Sequence, residues 1–158
     1  MAPTTDPTTT TAPPVDAVDL ADAFFAVAHA LKRSVNARVQ PTGLSLARLR
    51  VLYQLAATDG IRLGELSTCV DVAPRTMTST VEAMERDGLV ARRPDPNDGR
   101  ATIVTITEAG RRSFAEGRRL QASAIADLFA SLDAGQQAAL HDALDRLGHL
   151  AGVDIDGP

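Results

Sequence analysis

Large apolar residues recur along most of the chain at helical spacing, interrupted by prolines and glycines and by one stretch of β-branched residues. From about Val15 to Val39 they fall at Leu20, Phe24, Leu31 and Val35 with Ala28 between, one stripe of a first helix. Pro41 and Gly43 end it, and Ser45 is a good N-cap for a second helix carrying Leu46, Leu49, Leu52 and Ala56, ending near Asp59-Gly60. Leu63, Leu66 and Val70 mark a short third helix. After a break at Asp71-Val72-Ala73, Pro74 sits where a first helical residue tolerates proline, and Met77, Val81 and Met84 give a fourth helix that stops at Gly88.

Leu89 to Arg93 and Ala101 to Ile106 are β-prone runs flanking Pro94-Asp95-Pro96-Asn97-Asp98-Gly99-Arg100, which predicts a hairpin with a long tip. Thr107 can cap a long helix with Phe114, Gln121, Ile125, Leu128 and Leu132 along one side. Asp133 and Gln136 form a capping-box pattern before a last helix with Leu140, Leu144, Leu147 and Ala151 in register. The predicted order is α-α-α-α-β-β-α-α, mainly α with a small β-hairpin and no internal repeat. Residues 1–14 are Thr/Pro-rich with almost no large apolar group, which predicts a disordered tail.

Composition narrows the class. The chain has 158 residues, the size of one domain, and aromatics are 3% with no Trp, so the core must be aliphatic. No apolar run approaches the roughly 18 residues of a membrane span, and the first residues lack the charged-then-apolar order of a signal peptide, so a cytoplasmic chain is expected. A single cysteine, Cys69, and three histidines exclude disulfide scaffolds and argue against a Cys/His zinc cage.

The net charge of −4 conceals a sorting of signs: residues 1–31 hold four acids and no base, 32–50 hold five bases and no acid, and 113–158 hold seven acids against three bases. Binding of a polyanion depends on the field of one face rather than on the total. A short helix, a three-residue turn, a second helix and a hairpin make the layout of a winged helix-turn-helix. In that layout the second helix enters the major groove and the hairpin lies against the backbone or minor groove.

With Met77, Val81 and Met84 inward, Arg75, Thr76, Thr78, Ser79 and Glu82 point outward. Arg suits guanine, and Thr and Ser suit base edges and phosphates. Glu82 would repel phosphate unless it accepts from cytosine, and an i, i+4 pair with Arg86 is its expected engagement. At the hairpin tip Arg100 can enter the minor groove, with Asp98 holding its guanidinium.

Residues 63–110 carry Gly88-Leu89-Val90, Asp95-Pro96-Asn97-Asp98-Gly99-Arg100 and Ile106-Thr107-Glu108-Ala109-Gly110. They resemble the MarR (multiple antibiotic resistance regulator) family of bacterial transcription factors, and residues 15–151 follow its helix order. The resemblance implies a triangular homodimer whose first, fifth and sixth helices interlock. It implies a winged helix-turn-helix over 45–106 and a dimerisation region over 15–44 and 107–151. Arg75, Thr76, Thr78 and Ser79 would take the recognition-helix role, and Asp98 and Arg100 the wing role, on a pseudo-palindromic duplex. One departure is Ala73, where the family often has Ser or Thr. It leaves the helix-start amides without a side-chain acceptor, and a DNA phosphate could satisfy them.

The resemblance also implies a repressor relieved by a small aromatic or anionic effector, with His29, Arg33 and Arg48 as its polar contacts; a DNA phosphate or an acid is the alternative partner of Arg48. Cys69, beside Val70 near an apolar face, is expected to be buried and inert; the competing reading is a redox sensor through Cys69. His141 and His149 lack a nearby ligand set, so no metal is expected. No phosphate loop, nucleophile elbow or carboxylate pair beside a His suggests an enzyme, and no cofactor is implied. A winged-helix adaptor that binds protein is the remaining alternative.

Overall fold

The computed structural model describes residues 15–153; the tail predicted over 1–14 lies outside them. Helix α1 (Ala17–Val39) starts where the Asp16 carboxylate accepts from the amides of Val18 and Asp19, at 2.8 and 3.4 Å. It ends in a single 3₁₀ turn, Gln40–Thr42, and Gly43 turns the corner at φ +77°, a conformation that a side chain would strain. Two side chains satisfy the opening amides of α2 (Leu46–Ala56): Ser45 accepts from Arg48, and Asn36 of α1 accepts from Leu46 at 3.0 Å. The second bond also fixes α1 against α2.

A two-residue strand, β1 (Ile61–Arg62), follows; the hydrophobic pattern does not predict it, because two residues carry no period. Helix α3 (Leu63–Val70) ends on Asp71 in the left-handed region at φ 53°, and Val72 donates back to the Ser67 carbonyl at 3.0 Å. Helix α4 (Pro74–Arg86) begins at Ala73 without a side-chain cap and buries Met77, Val81 and Met84. Gly88 (φ +73°) reverses the chain into β2 (Val90–Asp95), which pairs antiparallel with β3 (Asp98–Ile106). The sheet order is β1-β3-β2, so the hairpin is stiffened on its second edge by β1.

The hairpin differs from the long tip expected. Pairing continues to Asp95 opposite Asp98, so only Pro96 and Asn97 lie outside the strands. The physical reason is Asp95, which is 4% exposed and whose carboxylate accepts from the Asn97 amide at 2.8 Å, closing the turn locally.

Helix α5 (Glu108–Phe129) is locked to the hairpin base. Thr107 Oγ1 accepts from the Gly110 amide at 2.9 Å while donating to the Gly88 carbonyl at 2.7 Å. Gly110 lies so close to the Leu89 carbonyl that an added Cβ would run into it, and Gly117 faces Leu44 and Leu49. The fully buried positions of α5 are therefore Gly110, Gly117 and Ala124, seven residues apart. The stripe expected from Phe114 to Leu132 is half-buried, except for Ile125, which is exposed. Helix α6 (Ala134–Ala151) opens with the predicted capping box, Asp133 and Gln136 each bonding the other's backbone.

One core joins these parts: Val39 and Leu44, Leu49, Val51, Leu52 and Leu55 of α2, Leu66 and Val70 of α3, the α4 stripe, and Val90, Val104 and Ile106 of the hairpin. No helix among the described residues is long and apolar enough to cross a membrane.

Candidate DNA-binding surface

The turn from α3 to α4 presents the start of α4 to solvent. Pro74 has no N–H and Ala73 offers no side-chain acceptor, so the Arg75 and Thr76 amides open the helix uncapped beside the exposed Arg75 side chain. Thr76 and Ser79 are exposed, and Thr78 is half-buried. Their hydroxyls are partly engaged: Thr78 Oγ1 donates to the Pro74 carbonyl at 2.9 Å and Ser79 Oγ to the Thr76 carbonyl at 3.0 Å. A groove of about 540 Å³ lies between here and the hairpin, lined by Pro74 and Thr78 of α4, Arg100 and Thr102 of β3, and Arg62 and Glu65. Three of the predicted residues, Arg75, Thr78 and Arg100, thus stand on or beside one concave surface.

Ion pairs set the attitude of that surface. Arg62 on β1 reaches across β3 to Asp95, with Nη2 2.6 Å and Nε 2.7 Å from Oδ2. The Asn97 amide and the Arg62 guanidinium hold the Asp95 carboxyl below its ordinary range, outweighing its burial. On the other side of the hairpin, Arg92 of β2 donates through Nε to Glu85 of α4 at 2.7 Å, and its backbone amide donates to the same carboxylate at 3.2 Å. That bonding holds Glu85 below and Arg92 above their usual values. The hairpin is therefore pinned to β1 at its tip and to α4 at its base.

Two expectations are corrected here. Asp98 accepts from the Arg100 backbone amide at 3.1 Å rather than holding its guanidinium, because the tight turn brings the main chain first within reach. Glu82 pairs with Arg92, at 3.6 Å, and not with Arg86, because β2 lies alongside α4. Sequence reasoning misses Arg62 and Arg92: each acts through a partner that only the sheet brings near, and no local spacing marks Arg62 with Asp95.

Residues 44–102 match the MarR family. An HTH-type transcriptional regulator of Mycobacterium bovis, Mb0904, is 31% identical over 124 residues, covering 78% of this chain and 85% of that one. The chain belongs to the MarR family. It is thus a winged helix-turn-helix, DNA-binding transcription regulator rather than an enzyme.

Other relatives match less of their length. YdgJ of Bacillus subtilis is 29% identical over 67% of this chain and 65% of its own, just under two thirds. The transcriptional repressor IacR of Pseudomonas putida is 42% identical over 42% of this chain and 40% of its own. Among solved structures, a mutant MarR of E. coli complexed with operator DNA superposes with a TM-score of 0.70 at 24% identity, over 82% of this chain and 94% of that one.

The predicted effector contacts of this MarR-family chain separate. His29 and Arg33 line a cavity of about 320 Å³ with Lys32, Asn36 and Ala47. Lys32 also borders a larger one of about 520 Å³, together with Arg50, Tyr53, Arg118 and Gln121. Arg118 lies over the Tyr53 ring, 5.8 Å from its centre. Arg48 lines neither: it bonds Asp87, the C-cap of α4, at 2.7 Å and the Gly43 carbonyl at 3.2 Å. Cys69, expected to be buried, is exposed, because α3 buries Leu66, Ser67 and Val70 and the position before Val70 turns off that face. Among the described residues no cluster of three His, Cys, Asp or Glu side chains could hold a metal.

Proposed function

We propose that this MarR-family chain acts as a homodimer on a pseudo-palindromic duplex, as a cytoplasmic repressor relieved by a small anionic or aromatic effector. Residues 45–106 form the DNA-binding unit, and 15–44 with 107–151 form the dimerisation region. In each half-site α4 enters the major groove with Arg75, Thr76, Thr78 and Ser79 toward bases and phosphates, and the hairpin carries Asp98 and Arg100 to the minor groove.

The observation that carries the dimer is the apolar surface left uncovered on the terminal helices. Phe24 is 47% exposed, Leu147 56% and Leu150 87%, with Val18, Leu20 and Ile125 also open, while α6 buries only Gly148. Exposed apolar side chains on helices from both ends of the described chain fit a self-complementary two-fold interface. The E. coli structure with operator DNA and the repressor IacR support operator binding and repression.

The effector reading rests on the two cavities. Lys32, Arg50 and Arg118 would attract an anion and Tyr53 an aromatic ring, so we keep His29 and Arg33, add these four, and leave out Arg48, whose guanidinium is engaged. Such a ligand lowers DNA affinity only if it prefers an arrangement of the two winged units that does not fit DNA.

Sedimentation of the free chain at micromolar concentration, then of its complex with an inverted repeat, tests the reading. A dimer that adds two chains to each duplex is expected. A monomer in both states contradicts it.

A further inference from the structure

Glu82 stands in the middle of the outward ridge of α4. Arg75, Ser79, Glu82 and Arg86 follow one another at i, i+4, i+7 and i+11, opposite Met77, Val81 and Met84, and all four are exposed. Arg92 touches Glu82 from the side at 3.6 Å, while its closer partner is Glu85 at 2.7 Å. The Glu82 side chain is left 52% exposed, with a cation beside it that offsets part of the repulsion a carboxylate meets from phosphates.

The neighbouring hydroxyls share its polarity. Thr78 and Ser79 direct their protons to the carbonyls of Pro74 and Thr76, so both oxygens present lone pairs outward. A carboxylate is an acceptor only. The stretch from Thr78 to Glu82 therefore offers acceptors, and the donors Arg75 and Arg86, neither in an ion pair among the described residues, flank it.

In the major groove adenine and cytosine show an exocyclic amino donor, whereas guanine and thymine show carbonyl acceptors. We propose that the middle of α4 reads exocyclic amino groups. Glu82 accepts from the cytosine 4-amino group, and Ser79 and Thr78 accept from adenine or cytosine. Arg75 and Arg86 donate to guanine on either side. The inference rests on the placement of α4 in the major groove proposed above, and adds Glu82 and Arg86 to the base-reading residues.

Selection of bound duplexes from a random pool by the full chain and by Glu82→Gln tests it. The Gln amide can donate as well as accept, so the variant should keep the operator but admit thymine or guanine at one base pair of each half-site where the parent chain demands cytosine. Replacing that cytosine by a 2-pyrimidinone analogue without the amino group should lower the parent's affinity about tenfold. The same replacement should leave Glu82→Ala unaffected. Both variants should melt with the parent, since Glu82 is exposed and Arg92 keeps Glu85.

Identical base preferences in Glu82→Gln, or an equal effect of the analogue on the parent and on Glu82→Ala, overturns the proposal while leaving the groove placement standing. No enriched duplex for the parent chain overturns the groove placement and this inference with it.

Discussion

Arg62 binds Asp95 across the intervening strand β3, two of its guanidinium nitrogens within 2.7 Å of one carboxylate oxygen. The pair ties the hairpin tip to the two-residue strand that leads into α3, and so links the wing to the helix-turn-helix. The carboxylate is buried, so removing Arg62 leaves a buried charge without its cation, and removing Asp95 takes the partner from both Arg62 and the Asn97 amide.

Asp95→Ala should therefore free the wing without unfolding the core. Amide exchange near Asn97 to Thr102 should accelerate, DNA affinity should fall roughly tenfold, and the exchange of α2 should be unchanged, since local opening need not cross the global barrier. Unchanged exchange at the tip contradicts the role given to the pair.

The carboxyls of Asp95 and Glu85 are both depressed, the first chiefly by the Asn97 amide and Arg62, the second by Arg92. A depressed folded-state value stabilises the fold above the unfolded value, roughly pH 4 for these groups, and that stability is lost as pH falls through the folded value. Melting temperature should be flat with respect to these two pairs around neutrality. The gap between the parent chain and an Asp95→Asn, Glu85→Gln double variant should narrow only in acid. A gap that closes between about pH 6 and 8 contradicts the assignment.

Gly110 and Gly117 should differ in tolerance. An alanine methyl at Gly110 meets the Leu89 carbonyl, a backbone atom that the Thr107 amide also bonds at 3.1 Å, so Gly110→Ala should leave little folded protein. At Gly117 it meets the tips of Leu49 and Leu44, which can shift, so Gly117→Ala should cost about 1–3 kcal/mol, read as a lowered melting temperature. Equal tolerance of the two substitutions contradicts the packing argument.

The helical stripes, the caps at Ser45, Thr107 and Asp133 and the start of α4 at Pro74 are legible in the sequence, because each is a local relation within one or two turns. The MarR resemblance read over 63–110 agrees with the family match over 44–102. What is not legible is tertiary. Strand β1 exists only by pairing with β3, and Arg92 finds Glu82 and Glu85 only because β2 lies along α4. Cys69 is exposed because its neighbours, not Cys69 itself, decide which face α3 buries. On α5 the hydrophobic pattern points to large residues, whereas close helix contact selects the glycines.

Arg100 and the α4 hydroxyls should fail in different ways. Arg100→Ala should weaken binding to all sequences by about tenfold, and the slope of log affinity against log salt should flatten by about one. Ser79→Ala should instead relax preference at particular base pairs and leave the salt slope unchanged. Parallel competition titrations separate the two, and an Arg100→Ala chain that binds DNA as the parent does contradicts the wing role.

The most direct test of the central claim is selection of bound duplexes from a random pool by the unmodified chain, followed by titration of the enriched sequence against salt. A DNA-binding homodimer with two winged units predicts an inverted repeat whose affinity falls steeply as salt rises. Enrichment of a single unrepeated half-site contradicts the dimer, and no enrichment at any salt contradicts sequence-specific binding by this surface.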